Sequence, residues 1–139
     1  MKKARDIMTP NPECIGEKET MIDAAKKMLR LNAGALPICG EDNRLKGMLT
    51  DRDIVVKVLA EGKDPAKTTA GELEQGKPVT IGADDSIDEA LRTMIDHKVR
   101  RLPVIDGHDL VGIVSQADIA TNLEDPKVGD LVESISAAP

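Results

Sequence analysis

The strongest constraint on this chain is that it says nearly the same thing twice. Gly47 to Asp53 reads GMLTDRD, and Gly112 to Asp118 reads GIVSQAD. In each copy a glycine and two apolar residues lead to a hydroxyl residue, Thr50 or Ser115, followed three positions later by an acid, Asp53 or Asp118. The surroundings repeat as well. Ser86 to Ala90 mirrors Thr20 to Ala24, Met94 mirrors Met28, and Leu102, Pro103 and Val104 mirror Leu36, Pro37 and Ile38. Pro37 and Pro103 stand 66 positions apart, Asp53 and Asp118 stand 65 apart, and the second hairpin is therefore one residue shorter. Self-similarity at a fixed period marks a duplicated supersecondary unit and decides the fold.

Within each copy the periodicity predicts strand, helix, strand, strand, helix. Lys3 to Thr9 reads as a short helical turn ended by the Thr9 to Pro12 cluster, and a short strand is expected around Cys14 and Ile15. Thr20 opens a helix with Asp23 as its capping partner and Met21, Ala24, Ala25, Met28 and Leu31 at helical spacing, running to about Asn32. Leu36 to Cys39 and Leu45 to Leu49 are strands joined by a polar turn, and the motif helix continues through Ile54, Val55, Val58 and Leu59 to Gly62. A helix between the first two strands makes their connection a parallel crossover, and the last two strands form an antiparallel hairpin. The expected division is repeat 1 over 1–62, a linker over 63–69, repeat 2 over 70–122 and a C-terminal amphipathic helix and tail over 123–139, where Val128, Leu131, Val132 and Ile135 fall at helical spacing. Each repeat alone covers one sheet face and leaves the other bare, so the repeats are expected to pack on each other about an approximate two-fold axis.

Composition excludes several function classes. The 139 residues suffice for a real core, but they include no Phe, Tyr or Trp, so the core is built from aliphatic side chains and Met. A net charge of −6 and the absence of stacking residues argue against nucleic acid. No run approaches a membrane span and the N-terminus has no apolar leader, so a cytoplasmic protein is expected. His97 and His108 fit no metal spacing, and no carboxylate pair stands out as an acid and base, so neither a metal nor an enzymatic activity is expected.

The repeated motif has two readings in the same atoms. A hydroxyl residue followed three positions on by an acid, ahead of an apolar helical run, is a capping box. A helix N-terminus also presents free N–H groups that hold a phosphate, beside a carboxylate that accepts from ribose hydroxyls.

GMLTDRD, GIVSQAD, the strand openings ALPI and RLPV and the repeat of roughly 65 residues resemble a pair of cystathionine-beta-synthase (CBS) domains, a Bateman module, from about Arg5 to Ala120. The resemblance implies an α/β fold of tandem repeats, each a mixed three-stranded sheet with two flanking helices. It also implies an adenosine nucleotide, AMP, ADP or ATP, as ligand, with Asp53 and Asp118 on the ribose and Thr50 and Ser115 near the phosphates. Family geometry sets each motif beside the helix-to-strand turn of the other repeat. Opposite Asp53 that turn is Lys98 to Arg101, where Arg100 and Arg101 can pair phosphate; opposite Asp118 it is Ala33 to Ala35, where Ala35 can accept an adenine but offers no charge. The nucleotide is therefore expected at Thr50 and Asp53. The resemblance further implies a homodimer and a regulatory role toward a protein partner that the sequence does not name. A ligand-free, redox-responsive dimeric scaffold for protein interaction in a stress response is the other reading.

Cys14 and Cys39 lie on strands that the crossover makes neighbours. A disulfide fits if both point the same way, whereas a reducing cytosol favours two free thiols.

Overall fold

The computed structural model describes residues 2–76 and 78–122. The helix and tail expected over 123–139 lie outside the described residues. The elements run α1 (Ala4–Ile7), β1 (Thr9–Pro10), β2 (Ile15–Gly16), α2 (Met21–Leu31), β3 (Ala35–Cys39), β4 (Leu45–Thr50), α3 (Asp51–Asp53), α4 (Ala70–Leu73), β5 (Ile81–Gly82), α5 (Ile87–His97), β6 (Arg101–Asp106), β7 (Asp109–Ser115) and α6 (Gln116–Ala120). Beyond α3 the chain stays helical over Ile54–Leu59 but widens to bonds five residues apart, with Ala60 N–H on Val55 O at 2.9 Å and Lys63 N–H on Val58 O at 2.9 Å. Such wide turns are short and occur within otherwise ordinary helices.

These elements make two compact units that are offset from the sequence repeats. The continuous unit is Glu13–Pro78; the split unit joins the segment up to Pro12 with the described chain from Val79 to Asn122. The opening segment thus leaves the repeat it begins and packs with the later one. Residues 63–78, placed by sequence in the linker and the second repeat, pack with the first. Backbone bonds carry both attachments in the same way. Ala4 and Arg5 donate to Asp85 O and Ala83 O at 2.8 and 3.0 Å, and Ala70 and Gly71 donate to Glu19 O and Glu17 O at 2.9 Å each.

In the continuous unit the sheet runs β2-β3-β4, with β2 parallel to β3 and β3 antiparallel to β4. That is the expected three-stranded mixed sheet. In the split unit the order is β1-β7-β6-β5, a fourth strand more than expected, because Thr9 and Pro10 extend and pair antiparallel with Ile113 and Gly112. Pro10 has no N–H to give, which suits the outer position at which it stands.

Each unit has its own core. Ile15, Met21, Ala24, Leu36, Ile38, Leu49 and Val58 are buried in the continuous unit, and Ala4, Ala90, Met94, Leu102, Val104, Val114 and Ile119 in the split one. The two long helices show the same logic. Thr20 and Ser86 cap α2 and α5, with side-chain oxygens accepting from Asp23 N and Glu89 N, and both helices end on a left-handed residue, Asn32 or Lys98. A reciprocal cap satisfies amides that would otherwise be orphaned, and its carboxylate responds: the bonds from Thr20 hold the Asp23 carboxyl below its ordinary pKa.

Candidate functional site

Both hydroxyl-acid motifs sit where a strand ends and a helix starts. Thr50 Oγ1 accepts from Asp53 N at 3.1 Å while Asp53 Oδ2 accepts from Thr50 N at 2.9 Å. Ser115 Oγ accepts from Asp118 N at 3.2 Å while Asp118 Oδ2 accepts from Ser115 N at 2.9 Å. The capping reading is therefore realised twice, and it commits one oxygen of each carboxylate to its own backbone. The remaining oxygen is where the copies part. Asp53 Oδ1 meets Lys57 Nζ at 3.3 Å, with the Asp53 side chain 22% exposed. Asn122 stands at the corresponding place after Asp118, and its amide donates instead to the Asp118 backbone carbonyl at 2.7 Å. Lys57 was not among the residues expected at the site, although its position four residues after Asp53 on a helix is a readable signal for an ion pair.

The turn that enters each hairpin is held against the motif of the same unit. Ala35 is the register partner of Thr50, and Asp51 N–H donates to Gly34 O at 2.9 Å. Arg101 is the register partner of Ser115, and Gln116 N–H donates to Arg100 O at 2.9 Å. Directly opposed residues of an antiparallel pair project from the same sheet face. Thus Arg101 lies beside Ser115, both arginines being exposed, and the small Ala35 lies beside Thr50. Within its own unit, Thr50 thus has a small uncharged neighbour and Ser115 a charged one.

At the opposite end of the continuous unit's sheet a cavity of about 630 Å³ is lined by Gly16, Glu17, Lys18, Glu19, Cys39, Gly40, Glu41, Asp42 and Lys46. Cys39 reaches it from the end of β3 and is bonded to Cys14, with Cα atoms 5.7 Å apart. Cys39 pairs with Gly16 in the parallel register. Cys14 is two residues before Gly16, so both cysteines project from one face, as the bond requires. The free thiols expected from a reducing compartment are not what the structure holds. Among the described residues no group of three or more His, Cys, Asp or Glu is arranged to hold a metal ion. His97 Nδ1 lies 3.1 Å from the carbonyl of Thr93. No helix among the described residues is long and apolar enough to cross a membrane.

The CBS domain family profile matches residues 4–60 and again 70–125. The chain belongs to the CBS domain family. It is a CBS pair, 52% identical over 135 residues to hypoxic response protein 1 of Mycobacterium tuberculosis, an alignment covering 97% of this chain and 94% of the relative. A crystal structure of hypoxic response protein I, described with two coordinated zinc ions, superposes with a TM-score of 0.82 at 54% identity and covers 88% of this chain and all (100%) of that one. The CBS pair of protein MJ0100, solved with 5-methylthioadenosine and S-adenosyl-L-methionine, superposes with a TM-score of 0.77 at 28% identity over 88% of this chain and 95% of that one.

Proposed function

We propose that this CBS pair is a small stand-alone regulatory module that binds an adenosine nucleotide, AMP, ADP or ATP, and acts in the cytoplasm as a homodimer rather than as an enzyme. The observation that carries the reading is the pairing of each capped hydroxyl-acid motif with the turn before its hairpin, which in the split unit brings Arg101 beside Ser115. Capping leaves Asp118 Oδ1 to accept from ribose hydroxyls, and Arg100 and Arg101 supply the charge for phosphate. Asp53 Oδ1 performs the ribose role in the other motif by exchanging its bond to Lys57, whose ammonium then adds to the phosphate field. That MJ0100 was solved with two adenosine compounds supports the ligand class. Exposed apolar side chains on the continuous unit, Leu29 at 83%, Val55 at 56% and Leu59 at 53%, support association with a second copy.

Calorimetric titration with AMP, ADP and ATP tests the reading. Arg101→Ala touches no cap and is expected to weaken binding about tenfold or more, a loss of about 1.5–3 kcal/mol for one charged contact. Asp53→Ala and Asp118→Ala, each with its stability measured alongside, show which acid shares the ligand with Arg101. The sequence expectation names Asp53. Unchanged affinity in Arg101→Ala, or no heat with wild type at millimolar nucleotide, overturns the sensing function.

The Cys14–Cys39 bond favours a second reading, a ligand-free scaffold whose contacts change with redox state. Sedimentation with and without reductant tests it, and an identical mass and shape in both overturns it.

A further inference from the structure

The two units use the same backbone attachment but fill it with opposite chemistry. Where Ala4 and Arg5 dock in the split unit, Ala70 and Gly71 dock in the continuous one. Three residues beyond Arg5, Met8 lies over Gly112, and three beyond Gly71, Glu74 lies over Gly47, with its Cβ 3.3 Å from where a Gly47 side chain would begin. The first of the two receiving carbonyls belongs to an acid in both units, Asp85 or Glu19, but the second belongs to Ala83 in one case and Glu17 in the other. An apolar pair has thus become two carboxyl groups, Glu17 and Glu74, within hydrogen-bonding reach of each other.

Two ionised carboxylates offer only acceptors. In that state Glu74 Oε2 is buried with no hydrogen-bond partner. A single proton resolves this, since a protonated Glu74 carboxyl donates to Glu17. Burial of Glu74, and then its bond to Glu17 and the charge there, hold its carboxyl above the ordinary value, while Lys46 on β4 pulls the other way. Lys46 is itself shared with Asp42 at 3.5 Å. The one charged group on α4 is Glu72, which accepts from Thr69 N at 2.7 Å and is held below its ordinary pKa by that bond, so it is already ionised where Glu74, just past the helix, titrates.

We propose that Glu17 and Glu74 form a proton-dependent latch that fastens the Gly16–Glu19 loop to α4, so that this end of the continuous unit loosens as pH rises. The direction follows from linkage. The folded state keeps a proton that the unfolded chain gives up, so the stabilisation is complete below the ordinary glutamate value and is lost as pH rises through the raised one.

Amide hydrogen exchange on the full chain from about pH 5 to about pH 9 tests the latch with an internal reference. The Gly71 amide bonds across the latch to Glu17 O, and the Arg5 amide makes the matching bond to Ala83 O, where Met8 stands in place of Glu74. The protection factor of Gly71 relative to Arg5 is expected to fall with pH, by up to about tenfold per unit at its steepest, the limit for one proton. Glu74→Gln donates to Glu17 at every pH, and its ratio is expected to stay high and flat. Glu74→Met, which copies Met8, is expected to be flat as well; should it fail to fold, wild type and Glu74→Gln decide the matter. A wild-type ratio independent of pH, or the same fall in Glu74→Gln, overturns the latch.

Discussion

The continuous and split units share an architecture and are secured by different means. In the split unit Arg5 reaches from α1 to Asp84 at 2.9 Å and to Asp106 at 3.5 Å, and Lys3 approaches Asp84 at 3.7 Å. The continuous unit has Gly71 at the place of Arg5 and fastens its first two strands with Cys14–Cys39 instead. The backbone bonds that define the attachment are the same in both. A duplicated fold therefore keeps the contacts made by main chain, which any residue but proline can donate, and lets side chains choose between a charged clamp and a covalent one.

This contrast can be broken one clamp at a time. The largest effect is expected from the disulfide. It spans a sequence separation of 25 residues, and opening it by reduction or by Cys14→Ser is expected to cost about 3 kcal/mol, roughly a hundredfold in the open population. Amide exchange is expected to show that loss in the continuous unit and leave the split unit unchanged; an equal loss in both would mean the units do not open separately.

Next come the glycines beneath the two attachments. A Cβ at Gly112 would stand 2.2 Å from Met8 Sδ and 2.7 Å from Met8 Cγ, whereas one at Gly47 would be 3.3 Å from Glu74 Cβ. Gly112→Ala must displace Met8 and is expected to cost about 1–3 kcal/mol, the range for overpacking, with Gly47→Ala costing less. Denaturant midpoints of the two variants check the order.

The smallest effect belongs to the charged clamp, because all its members are exposed and screened. The bond and charge of Arg5 hold the Asp84 carboxyl below its ordinary value. That contribution is present above the ordinary aspartate pKa and is lost as pH falls through the depressed one. Arg5→Ala is expected to move the Asp84 titration upward toward the ordinary range, as followed by its carboxyl chemical shift. A titration that does not move would remove the clamp from the comparison.

Much of this fold was legible because it is written locally. Thr20, Thr50, Ser86 and Ser115 announce helix starts through hydroxyls that cap, and the Leu-Pro strands and their hairpins follow from turn residues and alternation. What sequence reading lost is long-range. Thr9 and Pro10 make a strand of two residues with no alternation to read, and only Ile113 and Gly112, more than a hundred positions later, give them a partner. The exchange of opening segments had a faint signal in ARDI and AGEL, which match at an apolar fourth residue and an acidic third, but a four-residue match carries little weight before the contacts are seen. At the site, the hydroxyl-acid pairs were visible and their capping role was foreseen. The bond from Asp53 to Lys57 was missed, and so was the Glu17–Glu74 pair, whose members lie 57 positions apart and meet only through α4.

The exchanged opening segment also sets an order of events during synthesis. Every strand of the continuous unit is made by Thr50 and its last attachment by Leu73, so it can close while the rest is still being translated. The split unit cannot, since β1 waits for β7, which ends at Ser115. At roughly 5–20 residues per second the N-terminal segment remains unpartnered for several seconds after it leaves the ribosome. Non-local closure of this kind is slow in itself. A fusion or tag that restrains residues 2–12 would therefore disturb the later half of the chain, the half that carries Arg100, Arg101, Ser115 and Asp118, rather than the half it adjoins in sequence.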